Sequence, residues 1–381
     1  MYVGDEKEAS HGAAGCRAAT FYMRCLVVKK FKKIGILTSG GDAPGMNAAV
    51  RAVVRTALTM DVEVLGIYRG YSGLIEGDIR KLEIRDVSNI INKGGTMLYS
   101  DRCPEFKTPE GMAKAVENCK KFGIEGIVAI GGDGTFRGAT DLTAHGVPCI
   151  GIPATIDNDI SSTDNSIGFD TAMNTVIDVV DKLRDTCESH ARCNVVEVMG
   201  RGAGDIALSA GIASGATAVV IPEFTADMDY VVNQVKIGRS LGKRNFIVLV
   251  SEGVGSEFGP ELTKLIEERT GVETRFVRLA HIVRGGNPTL RDRVLASTMG
   301  VMAVEQLLKG KSNIVMCDKK GVITPRDINF ALMVDRMYKC KLNDGDLDPF
   351  SPEDIARMER IVRRRRANMA RLYGISKTIN L

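Results

Sequence analysis

The chain has 381 residues, 44% hydrophobic and 26% charged, enough apolar material for a large core spread over roughly two to three units of about 150 residues. A net charge of +4, no Trp and 5% aromatic residues weigh against a nucleic-acid platform, which needs exposed rings in a strongly basic field. No apolar run approaches the roughly 18 residues that a membrane span needs, and a cytoplasmic protein is expected.

Residues 1–32 are read as an N-terminal extension. Asp5, Glu6 and Glu8 stand where a signal peptide carries positive charge, and no continuous apolar stretch follows them. A flexible segment of the kind an upstream start codon adds is the expectation. The nine cysteines (16, 25, 103, 119, 149, 187, 193, 317 and 340) are odd in number and form no CxxC pair. Reduced thiols are predicted, not a disulfide framework or a zinc site.

From Lys33 the pattern alternates. "KIGILTS" (33–39) is a short apolar strand, "GGDAPG" turns the chain, and a helix is expected to begin near Asn47, a residue suited to capping. Val50, Val53, Val54, Ala57 and Leu58 then form one apolar stripe at helical spacing. "VEVLGIY" (62–68) reads as strand, "GMAKAVENCKKFG" (111–123) as helix, and "IEGIVAIGG" and "VPCIGIPA" (147–154) as strands. "NVVEVMG", "ATAVVIP" and "NFIVLVSEG" continue the series between helical stretches around 170–188, 203–214 and 227–241. Continuous apolar strands alternating with helices predict an α/β protein with mostly parallel sheets covered on both faces. Ligands in that architecture bind beyond the carboxyl ends of strands. After about Gly345 the composition shifts, and "SPEDIARMERIVRRRRANMARLYG" reads as a basic helix lying solvated or at an interface.

The chemistry-bearing motifs all follow strands. "TSGGDAPGMN" (38–47) is a strand–glycine loop–helix unit whose amides can hold phosphate; a tight turn accounts for the same letters. In "GGDGT" (131–135), Asp133 stands among such amides as a candidate magnesium ligand, or as a cap for the following helix. "PATIDNDI" (153–160) places Asp157 and Asp159 two apart. In extended chain both carboxylates face one crevice, one as a general base and the other near a metal; Asx turns also favour this composition. Arg192, Arg201, Arg275 and Arg284 are read as following strands, with His281 three residues before Arg284, and Glu252 in "SEG" adds a carboxylate at another strand end. Arginine grips phosphate with a planar fork, so paired aspartates with several arginines point to two phosphorylated ligands in one cleft.

With these residues in view, the chain resembles the bacterial-type ATP-dependent 6-phosphofructokinases from about Lys33 to about Lys341. The resemblance rests on "LTSGGDAPGMNAA", "GGDGT", "TIDNDI", "SIGFDTA", "VVEVMGR", "ETR" and "HIVRGG", in the family's order. "GGDGT" alone is shared with diacylglycerol and NAD kinases, whereas "TIDND" with "MGR" and "HIVRGG" is far more specific.

The resemblance implies two Rossmann-like α/β/α subdomains with the active site in the cleft between them. Residues 33–168 with about 284–333 would form the larger, nucleotide-binding one, and 169–283 with about 334–348 the smaller, sugar-phosphate-binding one, leaving 349–381 as a tail. The activity implied is phosphorylation of fructose 6-phosphate by Mg-ATP, in a homotetramer, with no nucleic acid or membrane partner. Gly41, Arg102, Cys103, Asp133, Gly134, Thr135 and Gly138 match ATP-contacting positions, with Asp133 at Mg2+; Cys103 replaces an aromatic ring seen in some members. Thr155 matches a substrate contact, Asp157 the base, Asp159 a metal-linked catalytic aspartate, and Arg201 the arginine that steadies the transferring phosphoryl group. Met199, Gly200, Glu252, His281 and Arg284 match sugar-phosphate contacts. Arg192 and Arg275 match arginines that reach a neighbouring subunit's sugar phosphate.

Pyrophosphate-using relatives carry aspartate where Gly134 stands and lysine where Ala154 stands, so ATP is the expected donor. A pyrophosphate enzyme, a lipid or NAD kinase, and a non-catalytic phosphosugar or nucleotide sensor are the alternatives. Arg51, Arg55, Arg184 and Lys243 match effector-phosphate contacts. Thr217 stands in place of the glutamate that holds the effector's magnesium, and Ile84 in place of another basic contact, so the usual allosteric control is expected to be altered.

Overall fold

A computed structural model describes residues 31–379. Residues 1–30, most of the extension expected from sequence, lie outside the described residues. Phe31 and Lys32 belong to the fold: Phe31 is buried and the Lys32 carbonyl accepts from the Glu63 amide.

The elements run β1 (Lys33–Ser39), α1 (Met46–Thr59), β2 (Glu63–Ile67), α2 (Gly70–Glu76), β3 (Ile79–Leu82), α3 (Pro109–Phe122), β4 (Ile127–Gly131), α4 (Asp133–Ala144) and β5 (Cys149–Pro153). They continue with α5 (Phe169–His190), β6 (Cys193–Val198), α6 (Asp205–Ser214), β7 (Ala218–Val220), α7 (Met228–Ser240), β8 (Phe246–Ser251), α8 (Phe258–Thr270) and β9 (Thr274–Arg278). Then come α9 (Leu290–Leu308), β10 (Ile314–Lys319), β11 (Val322–Asp327), α10 (Ile328–Tyr338) and α11 (Pro352–Ile379).

The strands form a seven-stranded sheet, β11-β10-β5-β4-β1-β2-β3, and a four-stranded sheet, β7-β8-β6-β9. The smaller sheet is parallel throughout; in the larger one only the edge strands β3 and β11 are antiparallel.

Side chains alternate between faces along each strand, which puts two apolar layers on each sheet. Ile34 and Ile36 of β1 and Val196 and Val198 of β6 join one large core shared by both sheets. Leu37 of β1 and Ala129 of β4 face a second core that also holds Phe136 of α4, while Val195 of β6 and Val250 of β8 face a third. The sequence reaches this arrangement because its strands are apolar on both faces, as sheets covered by helices require.

Three details differ from the sequence reading. The cap of α1 is Gly45, at φ 106°, and Asn47 sits inside the first turn. Its side-chain amide donates to the carbonyls of Lys93 and Gly94, and its Oδ1 accepts from the Met97 amide, so the competing acceptors of a distant loop claim it. The 157–159 segment is not extended chain: a turn spans Ile156 and Asp157, and Asn158 adopts φ 50°. Finally, α11 is packed on the body through Met358, Val362 and Met369.

Candidate active site

Register decides which loops meet. Ser39 of β1 pairs with Gly131 of β4, and Gly131 pairs with Pro153 of β5. The loops carrying "SGGDAPG", "GGDGT" and "PATIDNDI" therefore leave three adjacent strand ends at one edge of the sheet. β2 lies on one side of β1 and β4 on the other, so the strand order reverses there, and a crevice opens where it does.

The first two loops are tied at their bases. Buried Thr135 donates from Oγ1 to the Ser39 carbonyl at 3.0 Å, and Tyr71 Oη donates to the Thr135 carbonyl at 2.6 Å. A Cβ on Gly138 would stand 2.7 Å from the Tyr71 ring and 3.0 Å from Phe106, so any ligand contact at Gly138 is through main-chain atoms. A Cβ on Gly134 would meet nothing within 4 Å: that position looks into open space. Ala154 is buried. Arg102 is exposed, its amide donating to Asp101 Oδ1 at 2.7 Å, and Cys103 is half-buried against the second core.

The second sheet supplies the facing wall. Val198 of β6 pairs with Ser251 of β8, which sets the Met199–Arg201 loop beside Glu252. Glu252 Oε1 accepts from the amides of Arg201 at 2.7 Å and Gly200 at 3.2 Å, and Arg201 adopts φ 56°. The carboxylate thus fixes an unusual backbone conformation and aims the guanidinium outward. His281 and Arg284 lie on the 3-10 turn Ala280–Arg284, with His281 exposed. Arg284 Nη1 reaches back to the Asp42 carbonyl at 3.2 Å. A Cβ on Gly41 would fall 2.5 Å from that nitrogen, so the glycine makes room for the arginine.

The carboxylates sit between these walls. Asp157 and Asp159 are 6% and 7% exposed. Burial pushes the Asp157 carboxyl up to about 6, with Asp159 and Glu252 adding to the push and Arg284 and Arg201 opposing it. All four are close enough to be felt. Asp159 Oδ2 pairs with Lys339 Nζ at 3.0 Å and lies 4.0 Å from Arg201 Nη1. Thr155 Oγ1 accepts from the Asp157 amide at 3.2 Å. Asp133, at the start of α4, accepts from Arg137 at 3.0 Å through Oδ2, while its Oδ1 is buried without a partner, as is Asp157 Oδ1. Asp133, Asp159, Arg201 and Lys339 line one cavity of about 900 Å³. Lys339 was missed from sequence: "RMYKCKL" carries no positional signal, and only the fold brings it to Asp159.

Arg192 and Arg275 do not join this group. They do not follow strands as read from sequence: Arg192 immediately precedes β6 and Arg275 is the second residue of β9, so both lie at amino-terminal strand ends, where they hold Glu273, Arg192 Nε at 2.7 Å. Arg184 and Lys243 also lie away from the cleft, Arg184 bonded to Asn245 at 2.8 Å; burial and then Arg184 lower the Lys243 ammonium below its ordinary value. Burial and Arg55 do the same to Arg51, one turn from it on α1.

Two helix-covered sheets with buried carboxylates between them and guanidinium groups beside those carboxylates define a cleft of the kind that handles phosphorylated ligands. The phosphofructokinase family profile matches residues 33–307. An ATP-dependent 6-phosphofructokinase of Bacillus velezensis is 59% identical over 297 residues, covering 78% of this chain and 92% of the relative. The solved phosphofructokinase of Saccharomyces cerevisiae shares 31% identity at a TM-score of 0.77, over 87% of this chain and 50% of that one. A pyrophosphate-dependent phosphofructokinase of Marinobacter aquaeolei shares 23% identity at a TM-score of 0.69, over 78% of this chain and 83% of that one, a likeness of fold. The chain belongs to the phosphofructokinase family.

Proposed function

We propose that the protein transfers the γ-phosphoryl group of ATP to the 1-hydroxyl of D-fructose 6-phosphate, giving ADP and fructose 1,6-bisphosphate, the committed step of glycolysis. The observation that carries the residue roles is the convergence of Asp133, Asp159 and Arg201 on one cavity, with Asp157 buried within electrostatic reach of Arg201 and Arg284.

Asp157 takes the proton from the 1-hydroxyl as that oxygen forms its bond to the γ-phosphorus and the bond to the β-phosphate oxygen breaks. A carboxyl near 6 is poised for this at neutral pH, being largely ionised yet more basic than an exposed aspartate. Arg201 faces the transferring phosphoryl group, its main chain held by Glu252. Arg284 and His281 take the sugar phosphate, with Met199, Gly200 and Thr155 around the ring. Asp159 is held by Lys339 beside the base. Positioning and preorganised charge carry most of the barrier reduction in such a transfer.

The residues fit a magnesium ion. Asp133 offers an unpartnered buried oxygen, and among the described residues no group of three or more His, Cys, Asp or Glu could hold a metal unaided. A hard cation there would take its remaining oxygen ligands from the nucleotide phosphates and water. Bound, it would neutralise charge on the transferring group.

ATP lies against Gly41, Arg102, Cys103, Asp133, Gly134, Thr135 and Gly138 in this reading, which also takes the two subdomains, the tetramer and the cytoplasmic setting as expected from sequence. Among the described residues no helix is long and apolar enough to cross a membrane. The effector contacts are proposed at Arg51, Arg55, Arg184 and Lys243, in altered form: Thr217 is buried and Ile84 exposed where the family has charged groups.

Side-by-side kinetics with ATP and pyrophosphate test the reading. Turnover with ATP is expected, with little or none from pyrophosphate; the reverse preference would overturn it. Gly134→Asp should fold normally, because its side chain enters open space, yet lose at least tenfold in kcat/KM for ATP. Unchanged ATP kinetics in that variant would remove the steric basis of donor choice.

A further inference from the structure

The basic run Arg363–Arg366 on α11 lies beyond the 33–307 stretch matched by the family, and its four arginines behave differently. Arg363 is exposed, 3.9 Å from Glu359, and Arg364 is exposed, 3.6 Å from Asp164. Arg366 donates to the Tyr338 carbonyl at 3.0 Å. Arg365 points inward, with its side chain 14% exposed.

What Arg365 reaches is the turn that carries the paired carboxylates. Its Nη2 donates to the carbonyl of Asn158, the residue between Asp157 and Asp159, at 2.5 Å, and Nη1 donates to the carbonyls of Ile160 and Thr163, each at 3.5 Å. On its other side Nη2 lies 3.5 Å from both carboxylate oxygens of Asp205, the first residue of α6, four residues after Arg201. Its guanidinium carbon stands 5.2 Å from the centre of the Tyr338 ring. One planar cation therefore contacts the Asp157–Asp159 segment beyond the larger sheet and the first residue of α6, four residues past Arg201, beyond the smaller one.

Asn158 gives the grip a purpose. Its φ of 50° lies in the left-handed region, which asparagine tolerates better than other residues with a side chain, so the direction of the turn depends on the contacts that hold it. Asn158 Oδ1 accepts from the Ser166 amide at 3.0 Å, which restrains the turn from below, and Arg365 restrains it from above. The helix does not need this contact to stay in place, because Met358 and Val362 already bury themselves against Phe330 and Val334.

We infer that Arg365 is a positioning residue for phosphoryl transfer, holding the Asp157–Asp159 turn and the start of α6 in fixed relation across the cleft. This rests on the phosphofructokinase reading above. A lysine, a point cation on a flexible stem, cannot span the Asn158 carbonyl and the Asp205 carboxylate with a rigid fork. Displacing a catalytic group by about 1 Å can cost on the order of a hundredfold in rate.

The test uses the full chain with Arg365→Met and Arg365→Lys, and Arg363→Ala as a control on the same helix. Turnover, KM for each substrate and the thermal midpoint are measured together. Arg365→Met should lower kcat on the order of 10–100-fold and Arg365→Lys at least fivefold, with KM for ATP within twofold of wild type. Arg363→Ala should be indistinguishable from wild type. A kcat within twofold of wild type in a folded Arg365→Met variant overturns the inference, as does a loss no larger than the drop in folded fraction. Should that variant fail to fold, Arg365→Lys decides by the same criterion. Wild-type protein inactive with fructose 6-phosphate and ATP would instead overturn the reading on which this rests.

Discussion

At the scale of single residues, Asp157 is held in a state that favours chemistry over stability. An unfolded aspartate titrates near pH 3.9, whereas burial, reinforced by Asp159, raises this one to about 6 in the fold. Between those values the unfolded chain has released its proton and the folded one has kept it. Stability therefore falls as pH rises through that window and stays lower above it. Asp157→Asn should leave the thermal midpoint at pH 8 unchanged or raised, while turnover drops about 10²–10⁴-fold. In the wild type, kcat/KM for fructose 6-phosphate should decline about tenfold per unit below pH 6 and be level above it. A variant that keeps its turnover, or a profile flat down to pH 5, would take the base away from Asp157. The letters "TIDND" were legible as a carboxylate pair because neither charge has a local partner in the sequence. Their geometry was not, because a left-handed Asn158 bends the chain and the partners that make it do so, Ser166 and Arg365, are remote. Lys339 and the Glu252 grip on Arg201 were hidden for the same reason: each depends on a tertiary contact.

Among the elements, strands buried on both faces were easily read, since "KIGILTS" and "NFIVLVSEG" are apolar whichever side they present. Edge strands were not. β3, "IRKL", buries only its two ends, and β11, "VITPRD", buries only Ile323, so neither stands out from loop. The tail helix was legible as a helix, with Ser351 Oγ accepting from the Asp354 amide at its start. Four consecutive arginines read as part of a helix lying solvated or at an interface, and since a helix turns 100° per residue, packing one face of it points one of the four inward. The residues that dock α11 are thinly spread: Met358, Val362 and Met369 recur at spacings of four and seven among charged positions. Met358 is wholly buried against α10 with Phe330 and Val334. Met358→Ala should then cost about 2–5 kcal/mol, lowering the unfolding midpoint measured by calorimetry in a single transition. A midpoint equal to wild type would mean that the helix is not part of the cooperative fold.

Across the whole molecule, the cations divide between two ends of the smaller sheet. Arg201 and Glu252 stand at its carboxyl edge, and Arg192 and Arg275 at its amino edge, a β6 strand of six residues away, about 20 Å at 3.3 Å per residue. No side chain crosses that distance. If Arg192 and Arg275 contact a sugar phosphate, it is one bound by another copy of the chain, and within this chain both pair with Glu273. A site shared in this way makes a prediction that a self-contained site does not. Asp157→Asn removes the base and spares the amino edge; Arg275→Ala removes a phosphate contact and spares the base. Each homo-oligomer should be impaired, the first in turnover and the second chiefly in affinity for fructose 6-phosphate. Co-expressed with different affinity tags and purified as hybrids, the two should regain activity at low sugar phosphate. There, sites with Asp157 from one copy and Arg275 from the other are whole. Activity no greater than the average of the two parents would place each site within a single chain and leave Arg192 and Arg275 as surface partners of Glu273.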